Sequence, residues 1–282
     1  MESVSHSAEL EPLPTEILFM IVQHLFIRDV KCLSCVNQRM RMICLPVLFN
    51  KVRFAFSDFG LDGLRRLALS DARQYVVSLT YVIPELLRAE LMDLEFFRHN
   101  ILPPDHYADL LGTAIYDGHD VTDIRVPYML VYETFGRICH EQKGIVERRE
   151  DLTALSTVLS QLPHLIELGL CFCPTLATEH WISSFMDRTV ERCTYFHHFQ
   201  VISNALEARR RNSLSLHTIR LSGLELPYYC SLRTHEAQIL SNCLNRTLEH
   251  IPNLRLSGSG SPLRSLSGAE LRLQQLDMCS LA

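Results

Sequence analysis

Residues 12–50 read PLPTEILFMIVQHLFIRDVKCLSCVNQRMRMICLPVLFN, and their spacing predicts three short helices. Pro14 suits the first helical position, where its missing N–H costs nothing. Glu16 then puts a negative charge in the first turn, against the positive end of the helix dipole. Ile17, Leu18, Ile21 and Leu25 recur at helical intervals, while Phe19, Met20 and Val22 make the helix apolar beyond one face. Asp29 opens a second helix, with Val30, Leu33 and Val36 three residues apart. Met40, Ile43, Cys44 and Val47 carry a third, which Pro46 is expected to end or restart. Three helices this short cannot hide so many apolar side chains among themselves. The segment therefore expects a partner and reads as an interaction module.

Composition narrows the rest. A chain of 282 residues, 47% of them hydrophobic, has material for one or two domains with an ample core. The net charge of −5, with both signs interspersed, argues against nucleic acid as the main partner. No stretch approaches the ~20 apolar residues of a membrane span. The apolar run Ile17–Val22 is too short for a secretory leader, and Glu2, Glu9 and Glu11 precede it in place of basic residues. The ten cysteines are then expected to be reduced, in the cytoplasm and/or the nucleus.

After residue 50 the pattern changes to alternating strands and helices. Val52, Phe54 and Phe56 alternate with polar neighbours, as in a strand, and Leu61, Leu64, Leu67 and Ala68 follow at helical spacing. Val76–Ile83 reads as a second strand, and Pro84 as the start of a helix reaching Phe97. Helices are expected over Met129–Gln142, Asp151–Leu162 with Asp151 as N-cap, His180–Val190 and Tyr195–Arg210. Further strands are expected at Leu165–Phe172, His217–Leu221 and Leu254–Leu256. Leu271, Leu273, Leu276 and Met278 have the spacing of a leucine-rich repeat. Residues 102–128 and 257–267 carry Pro, Gly, Asp and Ser and read as loops. A repeat array normally ends in a polar cap. Leu276–Ala282 looks like an apolar strand instead, so a truncated array is expected.

No residues form a familiar catalytic motif: GxSxG, the phosphate-binding GxxxxGK[ST], GxGxxG and HExxH are all absent. Cys32 and Cys35 form a CxxC with no second pair, and Cys171 and Cys173 alternate on an expected strand. Cys193 and His197 share a helix face, but two ligands do not make a metal site. No cofactor and no metal are expected. The basic run Arg209-Arg210-Arg211 reads as the end of a helix, where cations suit the dipole.

Taken in order, Leu13, Pro14, Glu16, Ile17, Leu18, Ile21, Leu25, Asp29, Val30, Leu33, Val36 and Arg39 resemble an F-box, with Met40 where many F-boxes carry Trp. The downstream phrases VVSLTYVIPEL, FGRICHEQKGIV and ALSTVLSQLPHLIELGL resemble fungal F-box proteins with degenerate leucine-rich repeats. The resemblance implies a non-catalytic substrate receptor of a ubiquitin ligase. It docks on a Skp-type adaptor, and through it a cullin, and presents an unidentified protein target. The alternative is a scaffold bound to the adaptor outside any ligase. Leu13, Pro14, Ile17, Leu18, Ile21, Asp29, Val30, Leu33, Val36 and Arg39 would face the adaptor. The fold class is then mixed α/β: residues 1–11 disordered, 12–50 the F-box, and 51–282 an irregular leucine-rich-repeat-like solenoid. Within the solenoid, Ile166, Leu168, Leu170, Ile219 and Leu221 are assigned to packing. Glu167, Thr218, Arg220 and Arg255 are assigned to the outward face as candidate substrate-binding residues.

Overall fold

A computed structural model describes residues 13–109, 126–178, 180–183, 185–190, 194–223, 242–248, 251–257 and 276–278. The expectations for residues 1–11, for Cys193, Leu271 and Leu273 and for most of the 257–267 loop lie outside them.

Three helices open the chain: α1 (Thr15–Gln23), α2 (Ile27–Leu33) and α3 (Gln38–Leu48). Pro14 stands one position before α1, and its carbonyl accepts from Leu18 N (3.1 Å). Asp29 lies inside the first turn of α2, which begins at Ile27. Asn37 caps α3 by accepting from Met40 N (2.8 Å). Pro46 neither ends nor restarts α3: the helix runs on to Leu48. The backbone bond that Pro46 forfeits belongs to the carbonyl of exposed Met42, which water can satisfy. Leu18, Val22, Val30, Met40, Ile43 and Cys44 form the core of this unit.

Beyond it lies a sheet of six parallel strands: β1 (Lys51–Ala55), β2 (Ser78–Pro84), β3 (Glu167–Cys173), β4 (Thr218–Ser222), β5 (Asn253–Ser257) and β6 (Leu276–Met278). They pair in chain order, each with its successor. Helix α4 (Asp58–Leu69) connects β1 to β2, and α5 (Tyr128–Glu147) and α6 (Glu150–Gln161) connect β2 to β3. Helix α7 (Thr194–Arg211) connects β3 to β4, and α8 (residues 242–248) lies between β4 and β5. Parallel crossovers are right-handed. An order that never reverses therefore stacks its helices on one face of the sheet.

Register makes that face apolar. Val52, Leu79, Leu168, Ile219 and Leu254 form one row across five strands, and Phe54, Tyr81, Leu170, Leu221 and Leu256 form the next on that face. Both rows pack with residues of α4, α6, α7 and α8 into a single core. Phe54 and Tyr81 stack with centroids 4.7 Å apart.

Several local expectations are corrected. Pro84 ends β2 and opens no helix; the chain runs extended to a short 3₁₀ turn at Ala89–Met92. The helical stretch after it starts at Asp93, whose carboxylate accepts from Glu95 N and Phe96 N. This excursion builds a second core from Leu87, Leu91, Phe97, Val131, Phe135 and Ile182, among others. Gln142 ties it down, donating to the Glu85 carbonyl (3.0 Å) and accepting from Leu87 N (2.8 Å). The loop excursion near 102–128 is expected to hold a helical turn or two, and residues 104–109 are helical. His180–Val190 is two short helices, His180–Ser183 and Met186–Thr189. Asp151 is not the N-cap of α6: Arg149 is, in the left-handed region (φ 52°), and Asp151, inside the first turn, is fully buried. Ile166, expected in the core, lies just before β3 and is 48% exposed.

Arg209 does not close its helix as a solvated cation. It turns inward and is 1% exposed, donating to the carbonyls of Leu159, Leu162, Leu165 and Ser215 at 2.7–2.9 Å. One guanidinium thus bonds the C-terminal end of α6 and the segments that lead into β3 and β4. An Arg209→Met variant leaves those four carbonyls unpaired, and urea unfolding should show a loss of about 3–5 kcal/mol. An unchanged unfolding midpoint would show that water replaces the guanidinium at no cost.

Candidate functional site

Two surfaces stand out, one apolar and one polar. The first lies on the three-helix unit. Helix α1 turns Leu18 and Val22 inward and carries a second apolar stripe of Ile17, Met20 and Ile21, all exposed. The α1–α2 turn extends it with Leu25, Phe26 (84% exposed) and Ile27. Val36, between α2 and α3, is exposed as well. A folded protein rarely leaves so many large apolar side chains in water without a use for them.

The residues assigned to an adaptor divide on inspection. Ile17, Ile21, Pro14, Asp29 and Val36 reach the surface, and Leu13 and Leu33 are half-buried against the helical core. Leu18 (1% exposed) and Val30 (0%) do not reach it at all: they hold the helices to one another. Arg39 is exposed and its guanidinium donates to the Leu13 carbonyl (2.5 Å), fastening the chain where it enters α1. Met20, Phe26 and Ile27, and Leu25 of the F-box-like pattern, stand outside that assignment yet are exposed beside Ile17 and Ile21. The signal was present in the excess of apolar residues over one helix face, but periodicity alone does not say which stripe turns inward.

The second surface is the sheet face opposite the helices. Arg53, Thr80, Gly169, Arg220 and Arg255 occupy one register row, and Lys51, Ser78, Glu167, Thr218 and Asn253 another. None belongs to a hydrophobic core. Of the four candidate substrate-binding residues, Glu167, Arg220 and Arg255 come together: the Glu167 carboxylate lies 3.4 Å from Arg220 and 3.5 Å from Arg255. Ser78 donates to the same carboxylate (3.1 Å). Arg220 also reaches across Gly169 towards the Thr80 hydroxyl (3.4 Å). Thr218 lies in the outward row but is buried, so it offers little to a ligand.

The chemical decoys settle into structure. Cys32 and Cys35 are exposed free thiols, and the Cys35 thiol donates to the Lys31 carbonyl (3.4 Å). Burial, then the neighbouring Cys171, pushes the Cys173 thiol up to about 11, so it is a poor nucleophile. Among the described residues no three His, Cys, Asp or Glu side chains are grouped as a metal site would need, and no helix is long and apolar enough to cross a membrane. His197 pairs with Asp151 (Nε2···Oδ2 2.7 Å). His198, next in the chain, is fully buried edge-on to Phe56 and Tyr81.

No family model matches the chain, and no curated protein matches it either. What the two surfaces do must be argued from the surfaces themselves.

His198 gives the domain a pH dependence. Burial first, and then His197, lowers its pKa from 6.5 to about 3. The Pro84 carbonyl favours the charged form slightly without making a well-formed hydrogen bond. Protonation therefore favours the unfolded chain. The contribution is complete above pH 6.5 and is lost progressively as pH falls towards 3. Going from pH 7 to pH 5 should remove about 2 kcal/mol of unfolding free energy. Parallel denaturant titrations of the wild type and His198→Leu check this: the variant should lose that much less over the same interval. Equal losses would remove His198 as the cause.

Proposed function

We propose that the chain is an F-box substrate receptor: residues 13–48 dock on a Skp-type adaptor, and the sheet domain holds a protein target for ubiquitylation by the associated cullin ligase. The observation that carries this reading is the second apolar stripe of α1, continued by Phe26 and Ile27, on a unit whose own core is already filled. A helical partner laid against that stripe would bury it. The polar sheet face, with its Glu167–Arg220–Arg255 cluster, is the proposed target surface, and its cations Lys51, Arg53, Arg220 and Arg255 around Glu167 suit an acidic protein segment. In this reading the chain performs no bond chemistry. It supplies proximity, raising the local concentration of the target beside a ubiquitin-loaded enzyme. A reduced compartment, cytoplasmic and/or nuclear, accords with the free thiols. The irregular leucine-rich-repeat description accords with strands added in chain order and helices stacked on one side.

Affinity capture of the full chain with mass spectrometry tests the assignment. The adaptor and a cullin should co-purify; adaptor without cullin would favour the scaffold reading, and absence of the adaptor would end both. Ile21→Ala and Phe26→Ala should each weaken adaptor binding by about 1–2 kcal/mol with the fold intact, as expected for central apolar anchors. Charge reversal at Glu167, Arg220 and Arg255 should leave adaptor binding unchanged and release the target.

A further inference from the structure

We infer that the open edge of β1 is a second binding site, which takes an extended peptide segment of alternating acidic and apolar residues as an added strand. Phe56 N donates to the Val82 carbonyl on β2. In a parallel pair the N–H and C=O of one residue serve the same neighbour, and the next residue serves the other side. Counting back, Phe54 and Val52 face β2, and Arg53 and Lys51 present their backbone groups to the opposite edge. Among the described residues no strand pairs with that edge. An edge left in this state is a template for another chain.

Beside the edge is a cavity of about 470 Å³ lined mainly by apolar residues, Val52, Phe54, Leu64, Leu67 and Leu176 among them, with Arg53 and Ser57 of the chain along the edge also reaching it. Phe59, at its rim on α4, is 89% exposed. Gly63 also lines it, and a Cβ there would meet nothing within 4 Å. The groove thus has an apolar floor and an unfilled wall. On the other face of the sheet, Lys51 and Arg53 are exposed and make no ion pair among the described residues, and their β2 neighbours Ser78 and Thr80 are uncharged.

These facts fix the chemistry of the occupant. Residues opposite Val52 and Phe54 would point into the groove and should be apolar. Residues opposite Lys51 and Arg53 would point to the outer face and should be acidic, because directly opposed unlike charges are favourable across strands. The same two cations disfavour a second copy of this chain, whose β1 would bring Lys51 and Arg53 against their own kind. This site goes beyond the proposed adaptor and target surfaces and stands or falls without them.

Fluorescence polarisation of the full chain with a labelled peptide of alternating Glu and Val, flanked by Gly-Ser, tests it. Saturable binding is expected. Gly63→Phe fills open space on a helix and should keep the fold while abolishing binding. Arg53→Glu should weaken the Glu peptide roughly tenfold and bring in a Lys–Val peptide instead. In an antiparallel complex, where the residue opposite Arg53 bonds it directly, replacing the central Glu by Pro should also abolish binding, because the added strand then loses a backbone donor. Three results would overturn the inference: no saturable binding to the wild type, undiminished binding to Gly63→Phe, or a wild-type dimer that Gly63→Phe dissociates. Adaptor capture by the same variants should be unchanged, so failure here leaves the ligase reading to its own test.

Discussion

The pairing of six parallel strands in chain order is the constraint on which the rest depends. Right-handed crossovers and an order without reversal leave the helices no choice of side. One face of the sheet must then be apolar, and the rows through Leu168 and Leu170 are. Among the described residues the other face receives no helix layer and can stay polar, as Arg53, Glu167, Arg220 and Arg255 do. Among the described residues the first strand also keeps an unpaired edge. The proposed target surface and the proposed edge site are both consequences of this one topology.

The three-helix unit obeys a different logic. At fewer than 40 residues it is below the size at which a domain usually stands alone, and its core of six fully buried side chains is small. It leans on its neighbour: Phe49 packs against the main core, and the Asn50 carbonyl accepts from Val77 N and Ser78 N. Apolar residues that would enlarge the core face water instead, a stability cost that makes sense when a partner covers them. Within the sheet domain the buried polar groups differ in kind. Gln142 and the two terminal nitrogens of Arg209 bond carbonyls and an amide from separate segments and stitch these together, although Arg209 Nε has no partner. His198 and the Tyr81 hydroxyl find no partner, which makes that part of the core sensitive to protonation.

Strand positions were legible because period-two alternation survives where one face is buried. Leu168 and Leu170 against Glu167 and Gly169 set the register of β3, and Ile219 and Leu221 that of β4. Helices with an apolar stripe, α4 and α7, were legible for the same reason. The failures occur where tertiary contacts replace local signals. After Pro84 the chain stays extended because Gln142, far along the sequence, occupies its amide and carbonyl groups. Asp151 reads as a cap until a histidine from α7 reaches it. Arg209 reads as a solvated cation, since nothing nearby in sequence names the carbonyls it will meet. On α1 both stripes are apolar, so the sequence marked the helix as a docking element without separating Leu18 from Ile21.

Hydrogen exchange of the full chain, followed by mass spectrometry with and without a Skp-type adaptor, is the most direct measure of the central claim. The account predicts new protection in residues 15–36, greatest across α1 and the Leu25–Ile27 turn, and unchanged exchange in β3, β4 and β5. No added protection in 15–36, or protection confined to the sheet domain, would contradict it.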